Sequence, residues 1–202
     1  MSGADSGQST RAPWRSWLPR VLVESLLIVF SVLLALGLDQ WRDQRARVRR
    51  ANLALEAIRA EIVENLGTLQ RVRSHHLAMR DSLLSYAARR QAPPEQIYLG
   101  GIFNPGLTHA TAWESARETG VTGDLPYRLV LELSQVYDWQ ARYRSLGDAL
   151  AQDLMAQVRR EGRETVMRDR AARFIDLQED FANREASLIK KYEHILPALH
   201  NR

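Results

Sequence analysis

Apolar positions along the chain fall into one unbroken run followed by helical stripes. The run covers residues 21–38, VLVESLLIVFSVLLALGL, with Glu24 its only charge. As a helix rising about 1.5 Å per residue it is roughly 27 Å long, close to the hydrocarbon thickness of a bilayer. Trp14 and Trp17 precede it and Trp41 follows it, where amphipathic rings favour the headgroup layers. The pattern predicts a transmembrane helix. A cleaved signal peptide has a shorter apolar core and a small-x-small cleavage site, whereas this run leads into Asp39-Gln40-Trp41-Arg42. A pilin-type start would need a Gly-like processing position before Glu24, and Pro19-Arg20-Val21 supplies none.

Beyond Trp41 the spacing turns amphipathic. Leu55, Ile58, Ile62, Leu66, Leu69 and Val72 form a helical stripe that Leu83, Leu84 and Ala87 extend. This helix either continues the anchor or bends between positions 41 and 50. Residues 91–109, QAPPEQIYLGGIFNPGLTH, are rich in proline and glycine and predict a long loop. Thr111-Ala-Trp-Glu114 reads as a capping box opening a short helix that Gly120 closes. Asp124 is the expected N-cap of the next helix, with Pro126 in its first turn. Its stripe runs Leu129, Leu133, Val136, Tyr143, Leu146, Leu150, Leu154, Val158, and Gly162 marks a turn. The last stripe alternates four and three: Met167, Ala171, Phe174, Gln178, Phe181, Glu185, Leu188, Tyr192, Ile195, with Pro197 expected to end the helix.

The expected fold is all-α: an N-terminal transmembrane helix plus an elongated bundle of three long helices and one short one. Its divisions are a disordered tail at 1–12, an interfacial segment and anchor at 13–40, and a basic juxtamembrane region with a long helix at 41–90. A Pro/Gly loop at 91–110 and the remaining helices at 111–202 complete it. The short Trp113 helix and the loop are expected at one end of the bundle.

Charge changes the picture in one respect. The net charge is +4, but residues 1–50 hold eight arginines against four acids, so residues 51–202 balance to zero. The excess lies at the membrane, where Arg42, Arg45, Arg47, Arg49 and Arg50 are placed to contact anionic lipid. Bulk charge gives no support for nucleic-acid binding. Three arginines lie N-terminal to the anchor and five just after it, which tips the helical domain toward the cytoplasm. Of 28 basic residues only Lys190 and Lys191 are lysines, and cysteine is absent. Within the anchor, Glu24, Ile28, Ser31, Ala35 and Leu38 share one face. That face is either a helix-association seam or a snorkelling Glu24 paired with Arg20.

Two stretches carry a family resemblance. They are Glu24-Ser-Leu-Leu-Ile-Val through Asp39-Gln-Trp41-Arg-Asp43-Gln-Arg45, and Thr111-Ala-Trp113-Glu-Ser-Ala-Arg-Glu-Thr-Gly120 followed by Leu129, Leu133 and Tyr137. Together, over roughly residues 20–145, they resemble an uncharacterised family of bacterial single-pass membrane proteins. The resemblance implies a bacterial membrane protein with an N-terminal anchor and a helical domain, and no activity; the membrane expected is the inner one.

Chemistry leaves few marks. His75 and His76 point about 100° apart on a helix, so they do not face one metal in the i, i+4 manner. H-E-x-x-H, P-loop and G-x-S-x-G motifs are absent, and no cofactor or metal is expected. Glu56, Glu61 and Glu64 read as a solvated face. Trp113, Glu114 and Gly120 form either a packing element or, with Ile102, Phe103 and Leu107, an interaction surface. The expected role is a membrane-anchored, self-associating interaction or scaffold module rather than an enzyme. Its partners would be the bilayer and a second copy or another membrane protein. The alternative is an anchored sensor holding a small ligand in the bundle.

Overall fold

The computed structural model describes residues 18–94, 97, 106–162, 166 and 171–200. The tail at 1–12, Trp14, Trp17, Ile102, Phe103 and Met167 lie outside the described residues. Four helices carry the fold: α1 Leu18–Ala88, α2 Thr111–Glu118, α3 Tyr127–Glu161 and α4 Ala171–His200, with a 3-10 turn at Val121–Asp124. Among the described residues there is no strand. The helix α1 is assigned without a break across positions 41–50.

Backbone contacts divide the chain into two units, Met1–Val48 and Arg49–Arg202. In the first, the large apolar side chains of α1 from Leu22 to Leu38 are bare, from 72% exposed at Leu26 to 51% at Leu38. This stretch is long and apolar enough to cross a membrane.

In the second unit the three predicted stripes meet. Leu55, Ile58, Ile62 and Leu69 of α1 pack with Leu129, Leu133, Val136 and Tyr143 of α3. Phe181, Leu188, Tyr192 and Ile195 of α4 complete this core. From Phe174 to Ile195 the four-three alternation of α4 faces inward, Gln178 and Glu185 included. The α1 stripe stops at Leu83; Leu84 and Ala87, in the last turns of the helix, are exposed.

Side-chain hydrogen bonds fix the directions of the helices. Glu61 of α1 meets Tyr137 of α3 and Asn65 meets Gln140, so α1 and α3 run parallel. Gln140 meets Tyr192 and Tyr143 meets Glu185, so α4 runs antiparallel to α3. Two parallel neighbours need a long return connection, and this explains the length of the segment before α2. Its described part does not sit at an end of the bundle as expected. It lies along α1, with His109 bonded to Asn65, and Gly106 so close that a Cβ there would come within 3.2 Å of Val72 and 3.3 Å of Thr68.

Three helix boundaries differ from the sequence reading. The N-cap of α2 is Ala110 and makes no side-chain cap bond, so Thr111 and Glu114 form no capping box. Asp124 belongs to the 3-10 turn, and Pro126 takes the N-cap position of α3. Pro197 lies inside α4, which continues to His200. Leu199 is buried in the core, and this contact carries the helix past the proline, whose freed Glu193 carbonyl is on an exposed residue. Gly120 closes α2 at φ 73°, the left-handed backbone for which glycine was expected, and Gly162 closes α3 at φ 81° and ψ 150°, a conformation open chiefly to glycine.

Candidate functional site

The interior of the second unit carries a ladder of polar side chains through an otherwise apolar core. At one level Glu61 is buried, contrary to its expected place on a solvated face with Glu56 and Glu64, which are indeed exposed. The reason is local: Glu61 replaces the missing cap of α2. Its Oε2 accepts from the Ala112 backbone N–H at 2.8 Å, satisfying one of the orphan donors of the first turn. Its Oε1 accepts from the Tyr137 hydroxyl at 2.7 Å. The Tyr137 ring in turn stacks on Trp113, with centroids 5.4 Å apart and planes 3° from parallel. A carboxylate 51 residues from the helix it caps thus ties α1, α2 and α3 together.

One turn along, Asn65 and Gln140 clamp the backbone of His109. The Asn65 carboxamide donates to the His109 carbonyl at 2.7 Å and accepts from its N–H at 2.8 Å, as a strand neighbour would. Gln140 donates to the same carbonyl at 2.8 Å and accepts from the Tyr192 hydroxyl at 2.5 Å. The backbone of the return segment is paired at His109 in this way without a sheet.

Further along, Glu185 of α4 is fully buried, with His76 Nδ1 at 2.8 Å and the Tyr143 hydroxyl donating at 2.7 Å to the same oxygen. The other oxygen, Oε2, is buried with no hydrogen-bond partner among the described residues. His76 is therefore a core histidine, edged by the Phe181 ring at 5.7 Å.

The tyrosine hydroxyls at these levels are held in the neutral state. Burial pushes Tyr137 above its ordinary value, and the Glu61 hydrogen bond and charge push the same way. Burial raises Tyr143 most, helped by Glu185, while a backbone hydrogen bond from Gly106 opposes the shift. Tyr192 is raised chiefly by burial. Chemically the ladder positions groups: each carboxylate is engaged by tyrosine hydroxyls and lies in the core. Among the described residues no group of three or more His, Asp or Glu is arranged to hold a metal.

The residues singled out from sequence are dispersed. Glu24, Ile28, Ser31, Ala35 and Leu38 are all exposed, and the Ser31 hydroxyl donates to Leu27 O of its own helix at 2.8 Å. Arg42, Arg45, Arg47, Arg49 and Arg50 are exposed, with the Arg45 guanidinium 3.9 Å from the centre of the Trp41 ring. Trp113 is buried, Glu114 exposed, and Leu107 80% exposed. Sequence reasoning missed Glu61, Asn65 and Gln140 as interior groups, and left His76 between the surface and the core. Glu185 and Gln178 could be found, since they occupy stripe positions of α4. Compared with known proteins, the chain matches no family model, no curated protein and no solved structure.

Proposed function

We propose that the chain is a single-pass protein of the bacterial inner membrane whose helical domain is an interaction or scaffold module that associates with copies of itself. The observation that carries this reading is the uncovered apolar surface of α1 from Leu22 to Leu38, every large side chain of which is more than half exposed. Water-exposed, such a surface loses about 25 cal/mol for every Å² left unburied, and a bilayer removes that cost. The polar groups inside the helical domain support the scaffold part, since they are engaged with one another and with the return segment that they hold in place. The exposed arginines from 42 to 50 follow the anchor where an anionic headgroup layer would meet them.

The test is fractionation. The full chain should stay with membranes after alkaline extraction, and a reporter fused to its C-terminus should be active in the cytoplasm. In mild detergent it should run as more than one copy. Release into the alkaline supernatant would defeat the anchor, and a monomer at every concentration would defeat self-association.

The second reading, a small-ligand sensor, has one observation in its favour. A hollow of about 300 Å³ lies between Leu150 and Leu154 of α3 and Phe174 and Leu177 of α4, with Asp153 and Arg173 at its edge. A saturable melting-temperature rise with an apolar ligand, lost in Leu154→Trp, would support it.

A further inference from the structure

On the outer side of the α3–α4 seam lies a groove of about 780 Å³ with Val136 and Ile195 at its floor. Trp139 forms one wall and is 44% exposed. Lys190, Lys191 and His194 line the opposite side, so the chain's two lysines stand together here. The Lys191 ammonium rests 4.9 Å from the centre of the Trp139 ring. The groove's one carboxylate, Glu132, is already taken by Arg128 at 3.0 Å. Lys190 and His194 have no ion-pair partner among the described residues. The groove is thus apolar at the floor and cationic at the rim, a surface suited to an apolar helix edged with acids.

The same chain carries such a helix face. At about 100° per residue, Leu53, Ala57, Ala60 and Glu64 of α1 fall opposite its core positions Leu55, Ile58 and Ile62. Glu56 and Val63 flank them on one side, with Arg59 further round. Leu53 is 59% exposed and Val63 49%, and neither Glu56 nor Glu64 has an ion-pair partner among the described residues. The two surfaces share a level of the bundle: Glu64 adjoins Asn65, Lys191 adjoins Tyr192, and Asn65 and Tyr192 both bond Gln140.

We propose that the Leu53–Ala57–Ala60–Glu64 face of α1 in one copy docks in the Trp139–Lys190–Lys191 groove of a second copy. This rests on the self-associating reading above and assigns its surface. Ala57 and Ala60 let the helix approach closely, Leu53 and Val63 cover the apolar floor, and Glu64 meets Lys190 and Lys191. The α1 face points away from α3 and α4, and no α1 residue lines the groove, so the contact is head-to-tail. Each copy then keeps a free groove at one side and a free α1 face at the other.

The absence of cysteine makes the test clean. The full chain carrying Ala60→Cys with Gln135→Cys is oxidised in its own membranes. The expected product is a ladder of multimers, absent from either single-cysteine variant beyond a trace of dimer. Adding Lys190→Glu with Lys191→Glu should abolish the ladder and weaken association on the order of tenfold in detergent. Adding Glu56→Lys with Glu64→Lys to that variant should restore it, which misfolding would not allow. A ladder indifferent to both charge reversals overturns the proposal. So does a cross-linked band whose mass is no multiple of the chain's, which would give the groove to another protein's helix. A wild-type protein that is oligomeric without a ladder defeats this contact alone, whereas a wild-type monomer defeats self-association as well.

Discussion

Glu61 and Tyr137, 76 residues apart in the chain, share a 2.7 Å hydrogen bond while the same carboxylate caps α2. Removing the carboxylate strands two donors at once, the buried Tyr137 hydroxyl and the part-buried Ala112 N–H. Each such donor costs about 1–3 kcal/mol. Glu61→Ala should therefore lower the melting temperature of the solubilised protein by many degrees, and Glu61→Gln, which keeps one acceptor oxygen, by less. A Glu61→Ala melt that overlays wild type would show that the cap contributes nothing.

Trp113 tests the packing of α2. Its indole is buried against Tyr137, so Trp113→Ala should cost about 3–5 kcal/mol. Gly120→Ala places a Cβ at φ 73°, with open space around it, so its cost should be the backbone term alone, about 1–2 kcal/mol. Calorimetry of both variants beside wild type checks the order. A Trp113→Ala chain with unshifted melting that loses a binding partner would make this residue part of a recognition surface instead.

Alkaline pH should unfold the domain. Tyr137, Tyr143 and Tyr192 are all raised above the ordinary value of 10.0 in the folded state. Their contribution is fully present below about pH 10 and is lost as pH climbs toward the folded values, because the unfolded chain releases these protons first. Ultraviolet titration should show three of the six tyrosines ionising only together with the loss of helical circular dichroism. Six independent ionisations near the ordinary value, with helicity intact, would contradict the buried hydrogen bonds.

The anchor face has its own test. If Glu24, Ile28, Ser31, Ala35 and Leu38 form a seam between anchors, Glu24→Leu with Ser31→Leu should shift the detergent-solubilised protein toward smaller species. Ultracentrifugation in matched detergent reads the change, and an unaltered distribution assigns association to other surfaces.

The helical stripes were legible because burial in a bundle imposes a period close to 3.6 residues, and every interior position of α4 from Phe174 to Ile195 obeys it. The interior polar residues of α1 and α3 were less legible. Glu61 looks like Glu56 and Glu64 by type and neighbours, and only the distant, uncapped α2 distinguishes it. Asn65 and Gln140 are inside for the sake of a backbone segment whose route periodicity does not encode. Gly106 looked like turn punctuation but serves close approach to α1. Thr111-Ala-Trp-Glu114 fits a capping pattern that the structure leaves unused because Glu61 already occupies the helix start.

The parallel course of α1 and α3 bears on how the chain is made. As translation proceeds, α1 emerges first, yet His76 must wait 109 residues for Glu185. Glu61 and Asn65 find their partners once the return segment and α3 have formed. Until the closing helix leaves the ribosome, His76 lacks Glu185 and the apolar stripe of α1 has no final cover. The α3–α4 pair, adjacent in sequence and antiparallel, has the shorter sequence separation but is the last to form, after the contacts of α1 with α3. In the single-pass reading proposed above, insertion of the first segment precedes completion of the domain, and a nascent chain stalled before Phe181 would be tethered, unfinished and open to chaperones.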